Sequence, residues 1–302
     1  MHETTRENGP QRENAMNKTM NRTTHKTVCA ALIAIAWSVA AFAQTPDPSQ
    51  KGNTVSTVPA DVVKDLAPTG KLRAAINLGN SVLAQGTPQE PRGITADLAR
   101  ELSKRLGVPL EITTYDAAGK VFEALKGGTW DIAFLAIEPV RAAEIAFTAP
   151  YVIIEGNYMV PEASPLKTVA DVDHEGVRIA VAKGSAYDLY LSRTLKNAKL
   201  VRSQNGPEAM DMFVADKLEA AAGVKQPIVA YAKSHPGLRV IEQRFMAIEQ
   251  AMGTPKARYQ GREAAPRYLA AFVEEMKASG FVADALKRSN QPDAAVAPPA
   301  GK

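Results

Sequence analysis

Apolar positions along the chain follow two alternating spacings, which predict strands and helices in regular succession. In the first half, strands are predicted over 71–78, 109–115 and 130–136, and a helix over 94–106 that Gly107 ends. A shorter helix lies between the last two of these strands. A strand–helix–strand–helix–strand order predicts a parallel sheet with right-handed crossovers.

The same alternation returns in the second half of the chain. Strands are predicted over 177–182, 199–203, 218–224 and 238–245, and helices over 185–195, 207–216 and 226–234. Two further helical patterns follow, the second over 281–288. The predicted fold class is therefore α/β, with two units that are each a mostly parallel sheet flanked by helices.

The N-terminal region has the composition of an export signal. Three basic residues precede an uncharged apolar run over 28–43, which ends in the small-x-small pattern Ala41-Phe42-Ala43. We therefore expect residues 1–43 to be a cleaved signal peptide and the protein to be periplasmic.

Two further segments lack the alternating pattern. Residues 44–61 are rich in Pro, Ser, Thr and Gly, and residues 290–302 are rich in Pro and Ala. The first is expected to be a flexible linker and the second a disordered tail.

Composition excludes several classes of function. The chain has 36 Lys and Arg against 32 Asp and Glu, with no polybasic tract, so nucleic acid is not an expected partner. The one cysteine, Cys29, lies in the predicted leader, and His174 and His235 lack the spacing of a metal site. No P-loop, dinucleotide-binding pattern or Gly-x-Ser-x-Gly motif occurs. We expect neither a cofactor nor a metal.

The most informative segment contains an arginine that follows an apolar strand. A Gly-x-Trp-Asp motif at 128–131 opens that strand, Arg141 lies one turn into the next helix, and Phe-Thr-Ala-Pro-Tyr follows at 147–151. Strand-to-helix junctions are where α/β sheets bind ligands, and a planar guanidinium pairs best with a carboxylate. Arg141 is therefore the leading candidate to bind a ligand carboxylate, with a solvated helix arginine as the alternative.

Together with Gly-Lys-Leu at 70–72, Gly-Ile-Thr-Ala-Asp-Leu-Ala at 93–99 and Gly-Ser at 184–185, these motifs resemble those of a known family. The chain resembles extracellular solute-binding proteins of family 3, the polar amino-acid type of periplasmic receptor of ABC importers. The resemblance covers roughly residues 66–289.

The resemblance implies a type II periplasmic-binding-protein fold, in which two lobes joined by two crossing strands close on a ligand by hinge bending. By analogy, lobe 1 comprises 62–157 and the hinge return and C-terminal helices over 247–289. Lobe 2 comprises 158–246. The crossing strands fall near 156–161 and 247–255.

The resemblance also implies function and partners. The expected ligand is a small organic carboxylate, an amino acid or an amino-acid-like solute, and the expected partner of the monomeric receptor is an inner-membrane ABC permease. Two alternatives share the scaffold. One is an exported dehydratase-type enzyme, for which Glu138 is the candidate acid, and the other is a ligand-sensing receptor for a signalling partner.

A carboxylate clamp between the lobes follows from the same resemblance. Arg141 occupies the position of the arginine that binds the ligand carboxylate in lobe 1. In lobe 2, Ser185 caps a helix, and the N–H groups of Gly184, Ser185 and Ala186 are expected to face the anion. An ordinary helix cap is the alternative role of Ser185.

Asn80 and Tyr115 are weaker candidates for the cleft. Asn80 follows the first strand, where a polar turn is the alternative, and Tyr115 ends the second strand, where a place in the core is the alternative.

Three positions depart from the family pattern. Ala136 and Glu138 replace hydroxyl residues that contact the ligand, and Val224 replaces the aspartate that receives the α-ammonium group. Val224 cannot pair an ammonium, so an α-amino acid would need another acid, for which Glu138 is the candidate. The alternative role of Glu138 is an acid at a helix start before Pro139.

Overall fold

The computed structural model describes residues 58–259 and 261–301. The predicted signal peptide, residues 1–43, and most of the predicted linker lie outside the described residues. The strands are β1 (Leu72–Asn77), β2 (Gln85–Gly86), β3 (Pro91–Arg92), β4 (Leu110–Tyr115), β5 (Ile132–Ala136), β6 (Ile145–Pro161), β7 (Arg178–Ala182), β8 (Lys199–Ser203), β9 (Ala220–Val224), β10 (Leu238–Val240), β11 (Met246–Pro255) and β12 (Ala295–Val296).

Helices pack on both faces of the sheet that these strands form. They are α1 (Ala60–Leu66), α2 (Ile94–Leu106), α3 (Ala118–Glu123), α4 (Pro139–Ala142), α5 (Ala186–Thr194), α6 (Gly206–Ala215), α7 (Lys225–Ser234), α8 (Ala264–Ala278) and α9 (Phe281–Arg288). Among the described residues, no helix is both long enough and apolar enough to cross a membrane.

Ten of the described strands form one continuous sheet. Its main path runs β4-β1-β5-β11-β6-β9-β7-β8, and β10 and β12 also pair with β6. At one end, β1 is parallel to β4 and β5, and at the other, β7 is parallel to β8 and β9. The antiparallel strands β6 and β11 connect these two parallel halves. The predicted α/β fold class, with two mostly parallel lobes and two crossing strands, is confirmed.

The half of the sheet with β4, β1 and β5 is lobe 1, and the half with β9, β7 and β8 is lobe 2. The predicted change of lobe between residues 157 and 158 falls inside β6, and the one between 246 and 247 falls at the start of β11. These boundaries stay a prediction.

The helix α2 shows how local sequence signals produce the predicted elements. Its apolar residues, spaced four apart, are buried in lobe 1, and it ends at Gly107, whose φ of 66° places it in the left-handed region. A side chain is strained in that conformation, whereas glycine adopts it freely. The predicted bounds of this helix, 94–106, are confirmed.

The Gly-x-Trp-Asp motif is structural. Trp130 is buried and its indole N–H donates to the carbonyl of Val121 at 3.1 Å. The carboxylate of Asp131 is fully buried and accepts from Arg73 and Arg258, each at 2.7 Å. This ion-pair cluster ties the start of β5 to β1 and to the segment after β11.

Two predicted segments differ in the structure. The predicted strand over 238–245 is shorter in the structure, where β10 ends at Val240. The chain then turns, and the side-chain amide of Asn157 donates hydrogen bonds to the carbonyls of Ile241 and Glu242. The predicted disordered tail over 290–302 is wrong within the described residues. There, β12 pairs with β6 and Ala297 is 3% exposed, because small uncharged side chains fit against the crossing strand.

The predicted linker also ends earlier than expected. Helix α1 begins at Ala60, so the last two residues of the segment 44–61 are helical.

Candidate ligand site

A cavity of about 290 Å³ lies between the lobes, at the carboxyl ends of the parallel strands. Lobe 1 contributes residues from 77–83, 116–118 and 134–136 together with Arg141, and lobe 2 contributes residues from the first turns of α5, α6 and α7. Carboxyl ends of parallel strands meet at one edge, which is where α/β sheets bind ligands. No group of three potential metal ligands occurs among the described residues.

Arg141 is fully buried in the wall of this cavity. Its Nη1 donates to the carbonyl of Ala136 in lobe 1 at 3.0 Å, and its Nη2 donates to the carbonyl of Gly184 in lobe 2 at 2.8 Å. The guanidinium therefore joins the two lobes across the cleft. Its Nε is buried without a hydrogen-bond partner among the described residues.

No carboxylate of the described residues forms an ion pair with this guanidinium, whose two Nη atoms donate to backbone carbonyls. Loss of contact with water lowers the pKa of Arg141, and the charge of the nearby Glu138 offsets part of this shift. The resulting pKa is about 10. At neutral pH the side chain stays charged, yet the carboxylate of Glu138 pairs with Arg193 at 2.6 Å. Arg141 is therefore a buried cation that borders an open volume, and an anion in that volume would supply the missing partner.

Ser185 acts as the cap that its sequence position predicts. Its Oγ accepts from the N–H of Asp188 at 3.0 Å, and the side chain borders the cavity. Its own N–H donates to the carbonyl of Ala182 at 3.1 Å, and the N–H of Gly184 donates to Asp188 at 2.8 Å.

The structure therefore differs from the expectation of three amides that face an anion. The N–H groups of Gly184 and Ser185 are satisfied within lobe 2, and Gly184 turns its carbonyl toward Arg141. Ala186 borders the cavity at the first position of α5. Ligand contact by Ser185 and Ala186 stays a prediction.

Glu138 lies apart from the cavity. It is 2% exposed, it precedes α4 without a side-chain capping bond, and its carboxylate forms the ion pair with Arg193 of α5. This pair crosses the cleft. The geometry thus supports neither the predicted ligand contact nor the enzyme alternative that depended on Glu138, and the side chain instead joins lobe 1 to lobe 2.

The weaker candidates separate into two groups. Asn80, Ala136 and Val224 line the cavity. Tyr115 does not line it, because its ring packs in the apolar cluster around Trp130 and its hydroxyl lies 3.3 Å from the hydroxyl of Thr129. Tyr115 is thus partly buried against the core and lies outside the cavity lining.

Several further residues line the cavity. Thr95, Gln250 and Tyr187 are buried and line the cavity, and Asp116 and Asp211 lie exposed at its rim. Most of these positions are strand ends or first turns of helices. The predicted parallel sheets could therefore have indicated these positions, since strand ends and the helix starts that follow them lie at the same edge of a parallel sheet.

The lobes touch each other beside the cavity. A Cβ atom added at Gly119 of α3 would lie 2.8 Å from the carbonyl oxygen of Lys183, and one added at Gly184 would lie 2.9 Å from the Cα of Gly119. Asn205 of lobe 2 donates to Asp116 of lobe 1 at 3.4 Å. The structure is therefore a closed arrangement, in which backbone meets backbone across the cleft.

Comparison with known proteins places the chain in a family. The pattern of the bacterial extracellular solute-binding proteins, family 3, matches residues 81–289. The virulence sensor protein BvgS of Bordetella pertussis is 30% identical over 149 residues, which are 49% of this chain and 12% of the sensor. The chain thus spans about an eighth of the length of that relative.

More distant relatives match over most of their length. The glutamine-binding protein of Geobacillus stearothermophilus is 22% identical over 242 residues, covering 76% of this chain and 92% of that protein. The solute receptor for L-cysteine of Neisseria gonorrhoeae is 21% identical, with a TM-score of 0.65 over 76% of this chain and 94% of the receptor. A mutant of ArgBP from T. maritima is 19% identical, with a TM-score of 0.64 over 76% of this chain and 99% of that one.

These structural matches agree with the observed fold of two lobes and two crossing strands. The family pattern covers more than half of the chain, including Arg141 and most of the other cavity-lining residues of both lobes, although Asn77–Asn80 precede it. The chain belongs to the bacterial extracellular solute-binding proteins, family 3.

Proposed function

We propose that the protein captures a small organic carboxylate, an amino acid or an amino-acid-like solute, between its lobes in the periplasm. The closed form is then presented to an inner-membrane ABC permease. One observation carries this proposal: the guanidinium of Arg141 is fully buried at the cavity wall, and within the described part of the chain its Nε has no hydrogen-bond partner and no carboxylate pairs with it. An unpaired buried charge costs several kcal/mol, so a ligand carboxylate stabilises this arrangement.

Ligand binding and closure are coupled through the same side chain. Arg141 donates to the carbonyls of Ala136 and Gly184 on opposite lobes, and the neighbouring Glu138 pairs with Arg193 across the cleft. A carboxylate that neutralises Arg141 therefore favours the closed form over the open one. The mechanism needs reversible binding and hinge bending, with no bond broken.

Relatives support the transport role. The family match is to extracellular solute-binding proteins, and an amino acid ABC transporter substrate-binding protein from Streptococcus pneumoniae shares the fold, with a TM-score of 0.63 at 20% identity. The predicted signal peptide supports a periplasmic location.

A thermal-shift screen of the purified protein against amino acids, 2-oxo acids and small dicarboxylates tests the proposal. A ligand at about one hundred times its dissociation constant stabilises the protein by about 2.7 kcal/mol. Arg141→Ala is expected to abolish each carboxylate response. Arg267→Ala, which removes an exposed arginine that pairs with Glu263, is the matched control and should respond like the wild type. Equal responses from Arg141→Ala and the wild type would refute the carboxylate clamp.

A sensing role is the second candidate, because sensor proteins of Bordetella are 30% to 31% identical to about half of this chain. In that role the closed form would contact a signalling protein instead of a permease. Crosslinking in cells with and without ligand distinguishes the two, since the ligand-dependent crosslink is expected to a permease subunit for transport and to a sensor kinase for signalling.

A further inference from the structure

We infer that the cavity selects a monocarboxylate that carries no ammonium group, whose other polar atoms accept hydrogen bonds and whose tail is apolar. A 2-oxo acid with a branched or aromatic side chain is the simplest solute of this kind. The inference rests on the proposed function and narrows its ligand class.

Among the residues that the structure describes, the buried wall of the cavity holds one cation and no carboxylate. Its buried polar side chains are those of Asn80, Thr95, Arg141, Ser185, Tyr187 and Gln250. An ammonium group enclosed here would lose its water and meet no negative charge. A buried charge without a partner is strongly disfavoured, so the zwitterion of an amino acid is penalised relative to an anion.

The acids that reach the cavity sit at its rim and already have partners. Asp116 is exposed and binds the ammonium of Lys120 at 2.8 Å, and Asp211 is exposed and accepts from the hydroxyl of Tyr231 at 3.2 Å. Water screens charges at such positions, so they compensate a buried ammonium poorly.

Two amide side chains present donors. The Oδ1 of Asn77 accepts from the N–H of Gly79 at 3.0 Å, and the Oδ1 of Asn80 accepts from the N–H of Val82 at 3.3 Å. Their amide nitrogens have no hydrogen-bond partner among the described residues, and both residues line the cavity. A carbonyl, hydroxyl or carboxylate oxygen satisfies such nitrogens, whereas an ammonium group cannot.

The backbone adds positive potential from lobe 2. Residues in the first turns of α5, α6 and α7 line the cavity, among them Ala186, Gly206 and Pro227, and each of these helices has nine or ten residues. The N-terminal end of a helix carries a partial positive charge. At α7 the N-cap residue is Val224, which has no side-chain oxygen to accept the first N–H groups. These ends reinforce the charge of Arg141 and oppose a ligand cation.

The remaining wall accommodates an apolar tail. Met210, Val224 and Ile228 of lobe 2 line the cavity opposite Phe134 and Ile248. A volume of about 290 Å³ is at the small end of the range for ligand pockets, which suits a solute of amino-acid size.

Isothermal titration of the purified protein with two matched pairs tests the inference. The pairs are 4-methyl-2-oxopentanoate with leucine, and phenylpyruvate with phenylalanine, which share carbon skeletons and differ at C2. The oxo acid is expected to bind at least tenfold more tightly than its amino acid in one or both pairs. Equal or tighter binding of the amino acid in both pairs, or no binding by either oxo acid, overturns the inference.

The same titrations on Arg141→Ala separate this inference from the proposed function. If amino acids bind the wild type more tightly and lose binding in Arg141→Ala, the carboxylate clamp stands and the inference fails. If oxo acids are preferred and Arg141→Ala binds them equally well, the preference stands and the clamp fails.

A variant at Val224 tests the cause of the preference. Val224→Asp places a carboxylate at the cavity wall and supplies a cap for α7, so leucine is expected to gain at least tenfold and the oxo acid to lose affinity. Val224→Asn is the matched control, since it has the same shape without the charge and should still prefer the oxo acid. Thermal denaturation without ligand checks that Val224→Asp is as stable as the wild type. If it is, and the variant still binds the oxo acid tenfold more tightly than leucine, the inference fails.

Discussion

Replacing Gly119 with alanine tests whether ligand binding requires the two lobes to close into backbone contact. Gly119 lies in the first turn of α3 in lobe 1, and an added Cβ would lie 2.8 Å from the carbonyl oxygen of Lys183 and 3.3 Å from the Cα of Gly184. Both of these atoms belong to the backbone of lobe 2, so no side-chain rotation relieves the contact. The lobes must separate by a few tenths of an ångström.

The size of the effect follows from the chemistry of the contact. Overpacking by one methyl group costs about 1–3 kcal/mol, and here the cost arises only in the closed form. Since about 1.4 kcal/mol is tenfold in an equilibrium constant, ligand affinity should fall by about 5- to 150-fold. In the open form the same change replaces a helical glycine, which raises stability by about 0.5–1 kcal/mol. Affinity and unliganded stability should therefore move in opposite directions.

The assay combines isothermal titration with the tightest-binding acid and thermal denaturation without ligand. Gly127→Ala is the matched control, because its Cβ would make only an ordinary contact at 3.4 Å, with Thr129 of the same lobe. It should bind like the wild type. If Gly119→Ala binds the acid as tightly as Gly127→Ala does, the closed arrangement with backbone contact at Gly119 is not the ligand-bound form.

Three further predictions follow from the charged groups. Glu138→Gln weakens the pair with the half-exposed Arg193, worth about 0.2–1 kcal/mol, so ligand affinity measured by titration should fall up to about fivefold; a gain in affinity would contradict the pairing. Asp131→Asn removes the buried anion of the partly buried Arg73 and Arg258 and should lower the free energy of unfolding in urea by about 3–5 kcal/mol, a loss below about 1 kcal/mol being the contrary result. The hydrogen bond from Lys225 lowers the pKa of Glu155 from its usual 4.5, so the ion pair stabilises the folded state. This stabilisation is complete above pH 4.5 and is lost as pH falls through the lowered pKa. Between about pH 5 and pH 3, Glu155→Gln should therefore lose less thermal stability than the wild type, and parallel losses would refute this.

Local elements were predictable where the signals are short in range. The bounds of α2, β8 and α9 agree with the prediction, because spacing of apolar residues and end signals such as Gly107 act within a few positions along the chain. The segment after β10 was not predictable in this way. The side-chain amide of Asn157, more than eighty residues earlier, donates hydrogen bonds to this turn. Local secondary-structure propensities cannot predict a contact between residues so far apart in the chain.

The site was predictable in part. The motif around Arg141 placed this arginine at the cleft, and the structure puts it at the cavity wall. The role of Glu138 was not predictable, because it depends on Arg193, which is fifty-five residues away and on the other lobe. The amide of Gly184 was likewise assigned to a ligand, whereas Asp188 one turn later accepts its N–H.

The sequence by itself determined the alternation of strands and helices, the family and the position of an arginine at the cleft, because each of these depends on residues close together in the chain. Only the tertiary structure decided which groups stand without a partner. Glu138, which lies near Arg141, forms its ion pair with Arg193 instead. The Oδ1 atoms of Asn77 and Asn80 accept hydrogen bonds from backbone N–H groups. The groups that lack a partner are those left after the contacts across the cleft have formed, and those contacts join residues far apart in the chain.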